Sequence, residues 1–233
     1  MRITTNSTHS RLALALLGTL ALAGAIAAGA HAISVYQNAP PPPAEFDQIV
    51  RSGGGKACER RYRQKQKVML VSVKKGPVTC SFKAPVQGDS ELPDHALGVD
   101  AKILDATPKS VRGGAFVELA VRAGGGGVGY TLRVFPQKRR FELKRGPRGG
   151  GDFPVRDKSR AIKPVGTRNR LSLIADGAKI TARANGKDLV SVTDGDPAPV
   201  TGRKVRFAIG SSKDSGKDVV AVVKSVGVGV PAR

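Results

Sequence analysis

Few residues in this chain could carry covalent chemistry, and their spacing narrows the choice further. His95, in Pro93-Asp94-His95, is the one histidine beyond residue 32. A Ser-His-Asp or Cys-His nucleophile needs a histidine beside it, and no G-x-S-x-G occurs. His95 therefore reads as a turn residue at a strand start. Zinc needs three or four His, Cys or carboxylate ligands. One histidine and the separated Cys58 and Cys80 make no such set, so no metal and no cofactor are expected.

Glycoside hydrolysis needs two carboxylates flanking one bond. Asp100, Glu118 and Glu142 are the acids inside strand-like runs, and none has a second acid two residues away. Glu118 is expected to pair with Arg133 across a hairpin; if it faced a cleft it would be the first candidate for an acid/base role. Gly124 to Gly129 satisfies G-x-G-x-x-G literally, but a strand follows it where a nucleotide site requires a helix. Gly210 to Lys217 misses a Walker loop in spacing and ends at Asp218 instead of Ser or Thr.

Charge is the remaining chemical signal. The 233 residues hold 39 Lys and Arg against 18 Asp and Glu, a net charge of +21. Arg60, Arg61, Arg63 and Lys65 crowd one segment, and Lys138, Arg139, Lys144 and Arg145 surround a second. Such density attracts polyanions, although any single cluster reads equally as a solvated face. Strand alternation near these hairpins selects Glu118, Arg122, Tyr130, Arg133, Arg140 and Arg170 as ligand-binding candidates. Aromatic platforms for sugars are scarce, with no Trp, three Tyr and seven Phe.

The elements that position these side chains are short strands. Residues 68–73, 78–82, 96–104, 116–122, 130–135 and 139–144 read as strands, as do 170–175, 180–184, 189–193, 205–209 and 219–230. Tyr130-Thr131-Leu132-Arg133-Val134 alternates apolar and polar, the pattern of a sheet with one wet face. Asp176-Gly177 and Asn185-Gly186 supply the positive φ of tight hairpins. No run beyond residue 45 keeps a helical period. The expected fold is all-β, an antiparallel sandwich of jelly-roll type, occupying residues 46–230 as one domain.

Residues 1–32 combine a basic start, the uncharged run Leu12 to Ala30 and the small-residue triplet Ala30-His31-Ala32, the pattern of a signal peptide. The run is also about long enough to cross a bilayer, so cleaved leader and retained membrane anchor both stand. Either places the domain outside the cytoplasm. Removing it takes away Arg2, Arg11 and no acid, so the net charge falls only to +19. Residues 33–45, with four consecutive prolines, read as an extended linker. In an exported chain Cys58 and Cys80 are expected to form a disulfide worth about 3 kcal/mol by loop closure, the alternative being two buried thiols.

The succession Gly129-Tyr130-Thr131-Leu132-Arg133-Val134, Phe141-Glu142-Leu143, Asn169-Arg170-Leu171, Ala175-Asp176-Gly177, Ile180-Thr181-Ala182 and Asn185-Gly186 resembles the concanavalin A-like lectin/glucanase superfamily. Its exported bacterial 3-keto-disaccharide hydrolase-like branch is the nearest likeness, over about the last half of the chain. These are packing and turn positions, so the resemblance implies a fold more than an activity. The last strand departs from it. Lys224 stands where an aspartate commonly helps to hold calcium, and an ammonium there repels a cation.

Three functions follow as expectations. The first is a non-catalytic binding module of the cell envelope that takes carbohydrate or an anionic envelope polymer, with a membrane surface as a further partner. The second is a glycoside hydrolase-like enzyme, implied by the resemblance alone. The third is a purely structural exported domain. Nucleic acid would bind such charge nonspecifically, but export and the missing motifs argue against it as the physiological partner.

Overall fold

A computed structural model describes residues 55–74, 76–83, 94–124, 129–146, 155–195, 204–212 and 218–229. The leader or anchor and the linker expected at 1–45 lie outside them, as do residues 125–128 of the glycine run.

Thirteen strands are described: β1 (Cys58–Arg63), β2 (Val68–Val73), β3 (Thr79–Lys83), β4 (His95–Ile103), β5 (Ala115–Ala123), β6 (Tyr130–Phe135), β7 (Arg140–Arg145), β8 (Val155–Lys158), β9 (Asn169–Asp176), β10 (Lys179–Ala184), β11 (Lys187–Thr193), β12 (Lys204–Ser211) and β13 (Val219–Gly229). The only α-helix among the described residues is α1 (Lys109–Arg112). Seven strands form one sheet in the order β1-β2-β13-β4-β9-β10-β11, and six form the other in the order β3-β12-β5-β6-β7-β8. Every pairing given for these strands is antiparallel. This is the jelly-roll sandwich expected from the alternation.

Period two explains the core. Leu97, Val99 and Ile103 of β4 and Leu171 and Leu173 of β9 point inward from one sheet. Val117, Leu119 and Val121 of β5, Leu132 and Val134 of β6, and Phe207 and Ile209 of β12 answer from the other. Each side chain so buried contributes roughly 1.5–3 kcal/mol. Cys58 and Cys80 are joined in a disulfide with a Cα–Cα distance of 5.5 Å. Because β1 belongs to the seven-stranded sheet and β3 to the six-stranded one, the bond staples the two layers together.

Two strands, β1 and β8, fall outside the expected set, and both are edge strands. Their sequences, CERRYR and VRDK, are dominated by charge and largely exposed. Charged side chains on an edge discourage pairing with another chain, and the same charges erase the apolar alternation by which strands are read. Arg139, expected to begin a strand, instead closes the turn before β7 in the left-handed region at φ 47°.

Candidate functional site

A groove of about 480 Å³ crosses the outer face of the seven-stranded sheet. Its floor is built from three transverse rows fixed by strand register. Gly229, Ala96 and Ile174 form the first, and Gly227, Gly98, Ser172 and Arg183 the second. Ser225, Asp100 and Arg170 form the third. Small side chains at the centre of the floor leave the backbone open to close approach, as a strand glycine does. A Cβ on Gly98 would meet nothing nearer than 3.9 Å.

Charge gathers at one end of this floor. Lys163 and Arg168, from the connection before β9, join Arg170 there, and Arg183 adds a cation in the neighbouring row. Arg183 donates to Asp188 Oδ1 at 2.5 Å. Arg168 Nε stands 3.3 Å from Asp100 Oδ1, and Arg170 Nε 3.7 Å from Oδ2. Asp100 is only 6% exposed, and its buried Oδ1 accepts no hydrogen bond. Burial pushes the Asp100 carboxyl above its ordinary range, with Arg168, Arg170, Lys224 and Lys163 pulling part of the way back. Asn185 braces this end: its Nδ2 donates to Ala161 O and Asn169 Oδ1, and its Oδ1 accepts from Arg170 N.

Of the six ligand-binding candidates read from sequence, only Arg170 lines the groove. Glu118, Arg133 and Arg140 lie on the other sheet, where register sets Glu118, Arg133, Glu142 and Arg156 in one row across β5 to β8. Arg133 donates to Glu118 Oε2 from Nη2 at 2.6 Å and from Nε at 3.0 Å, the hairpin pair expected. Its guanidinium also lies 4.1 Å from the centre of the Phe116 ring. Arg140 stacks on Phe135 and pairs with Glu142. Each is engaged by a neighbour, although the buried Nε of Arg140 donates no hydrogen bond.

Arg122 and Tyr130 are buried between the layers, at 2% and 0% exposure, which keeps them from a ligand in solvent. Alternation failed at Arg122 because the β5–β12 register slips there and the residue sits at φ 50°, the bulge conformation that re-aims a side chain. Its Nη2 donates to Asp94 Oδ1 at 2.6 Å and to Gly177 O at 2.7 Å. Tyr130 donates its hydroxyl to Asp194 Oδ2, which also pairs with Arg145 Nε at 2.9 Å. Both sheets are thereby tied together at this end. Burial, then the hydrogen bond to Asp194, pushes the Tyr130 phenol up to about 12.

The basic clusters stay apart from the groove floor. Arg60, Arg61, Arg63 and Lys65 are exposed on edge strand β1 and its following turn, and Lys138 and Arg139 are exposed on the β6–β7 turn. Lys144 pairs with Glu142 at 3.5 Å. Among the described residues no three His, Cys, Asp or Glu side chains converge as a metal set.

No family model matches the chain, and no curated protein matches it. Solved structures do. A protein of unknown function with a galectin-like fold from Bacillus subtilis is 14% identical at a TM-score of 0.58, covering 82% of this chain and 93% of that one. The carbohydrate-binding module CBM66 from Bacillus subtilis is 13% identical at a TM-score of 0.53, covering 77% of this chain and 94% of the module. The fold is a galectin-like, concanavalin A-like β-sandwich. A family 7 alginate lyase solved with substrate also matches, at 16% identity and a TM-score of 0.53 over 75% of this chain and 82% of the lyase. At such identities the likeness is one of fold, and it does not reach the narrower hydrolase branch suggested by the sequence.

Proposed function

We propose that this domain binds an acidic carbohydrate in the groove of the seven-stranded sheet without transforming it, and does so outside the cytoplasm. The observation that carries the reading is the groove itself: a floor rich in Gly, Ala and Ser, lined also by Lys163, Arg168, Arg170 and Arg183. Guanidinium forks receive carboxylate and sulfate groups with directional hydrogen bonds. The described residues lining the groove include no aromatic platform, so affinity rests on charge and backbone approach rather than ring stacking. Export is supported by the N-terminal leader pattern and by the disulfide, which suits an oxidising compartment.

Binding is favoured over glycoside hydrolysis because Asp100 is the single carboxylate among the described residues that line the groove, where a hydrolase needs two. Glu118, the other acid considered, lies on the opposite sheet in the grip of Arg133. The fold supports a carbohydrate partner in general terms, since its structural neighbours include a carbohydrate-binding module and an alginate lyase.

The test is calorimetric titration of the full chain with alginate oligomers, with xylo-oligosaccharides carrying one glucuronic acid, and with neutral xylo-oligosaccharides of equal length. At least one kind of acidic oligomer is expected to bind, and Gly98→Val, which fills the floor, to abolish binding while the protein stays folded. Failure of every acidic oligomer to bind, or unchanged binding in Gly98→Val, would overturn the reading.

A further inference from the structure

The three rows of the groove floor differ in chemistry, and the difference runs in one direction. Gly229, Ala96 and Ile174 carry no charge, whereas Asp100 and Arg170 lie four residues further along β4 and β9, about 13 Å away at the rise of a strand. A ligand lying along β4 therefore meets an apolar shelf at one end and a charged pocket at the other.

The groove's charge is also half balanced, with two acids, Asp100 and Asp188, set against Lys163, Arg168, Arg170 and Arg183. Asp188 occupies Arg183, and Asp100 stands between Arg168 and Arg170. What remains suits one anionic group more than a string of them. Asp100 adds a second requirement. Asp100 lines the groove, and its buried Oδ1, 3.3 Å from Arg168 Nε, accepts no hydrogen bond, a costly state for a polar atom that a hydroxyl donor would relieve. A carboxylate cannot accept from another anion, so the group it takes is an alcohol.

We propose that the groove recognises a single acidic sugar unit at the charged end, with Asp100 Oδ1 accepting one of its hydroxyls, Arg168 and Arg170 holding its anionic group, and neutral units extending over Gly98 to Ala96, Ile174 and Gly229. This rests on the groove being the carbohydrate site, and it names the class of carbohydrate: one charged unit joined to a neutral chain, not a continuous polyuronate. Carboxylate and sulfate ester share the chemistry that the guanidinium groups require.

The experiment titrates the full chain with four probes: xylotetraose, xylotetraose capped by one glucuronic acid, xylotetraose bearing one sulfate ester, and tetraguluronate. At least one singly charged probe is expected to bind about tenfold or more tighter than xylotetraose and no more weakly than tetraguluronate. Asp100→Ala is expected to lose about tenfold, the scale of a hydrogen bond to a charged group, and Asp100→Asn to retain binding because its amide oxygen still accepts. Tetraguluronate binding more than tenfold tighter than both singly charged probes, in a manner abolished by Gly98→Val, overturns the single-unit inference and leaves the groove reading standing. Unchanged affinity in a folded Asp100→Ala overturns the role given to Asp100. Equal binding of all probes by Gly98→Val and the parent protein removes the groove reading itself.

Discussion

Asp100 and Arg170 face each other in register between β4 and β9, yet their nearest charged atoms stand 3.7 Å apart and Asp100 is 6% exposed. The pair is close enough to attract and too loosely matched to offset the cost of burying the carboxylate. Burial accordingly raises the Asp100 pKa, against the pull of Arg168, Arg170, Lys224 and Lys163. A carboxyl whose folded pKa is raised contributes stability below its ordinary value and loses it as pH rises through the folded value. Thermal melts of Asp100→Asn and the parent protein should therefore diverge in favour of the variant as pH rises above the ordinary carboxyl value of 3.8. A parent protein that gains on the variant with rising pH would contradict this.

The Cys58–Cys80 bond offers a prediction of a different kind. It closes a 22-residue separation and joins edge strand β1 of one layer to edge strand β3 of the other. Loop-closure entropy puts its worth at about 3 kcal/mol. For a domain of this size that corresponds to a fall of roughly 6–12 °C in Tm. Cys58→Ala/Cys80→Ala should show that fall, and reducing agent should produce it in the parent protein and not in the double variant.

The central strands were readable because they carry inward apolar residues at every second position, as in Tyr130-Thr131-Leu132-Arg133-Val134. Edge strands β1 and β8 were not, since an edge is protected by the charges that hide it. The groove was harder still. Its floor comes from β4, β9, β10 and β13, so Gly98 meets Gly227 across more than half the chain, and neither glycine carries a signal of its own. Arg170 could be picked out as an outward cation, and Asp100 as an acid within a strand. Nothing local showed that the two share a pocket. Arg122 misled for the opposite reason: alternation turned it outward, and a slip of register turned it in.

Tyr130 should report its buried position in alkaline solution. In the folded protein its phenol ionises only at about 12, chiefly through burial and then through its hydrogen bond to Asp194. The stability it contributes is complete below the ordinary tyrosine value near 10 and is lost as pH rises toward about 12. An ultraviolet titration should show one late phenolate that is missing from Tyr130→Phe. That substitution also strips a buried donor from Asp194, leaving Arg145, and should cost about 1–3 kcal/mol.

Two strand glycines make a matched test of how the two sheet faces are built. Gly98, on the groove floor, has room for a methyl group, with its nearest neighbours, Gly227 O and Leu171 O, at 3.9 and 4.0 Å from a Cβ. Gly210, on β12, lies opposite Phe116 in register. A Cβ there would come within 2.9 Å of both the Phe116 ring at Cε2 and Val78 O. The ring has little freedom to yield, because Phe135 meets it edge-on at 5.7 Å and the Arg133 guanidinium covers it at 4.1 Å. Gly210→Ala should thus cost about 1–3 kcal/mol as an overpacked site. Gly98→Ala should be neutral or raise stability by up to about 1 kcal/mol, since it restricts the unfolded chain without strain in the fold. Chemical denaturation of the two variants decides the matter: equal losses would mean that the groove floor is as tightly filled as the opposite face, and that no ligand could settle onto its backbone.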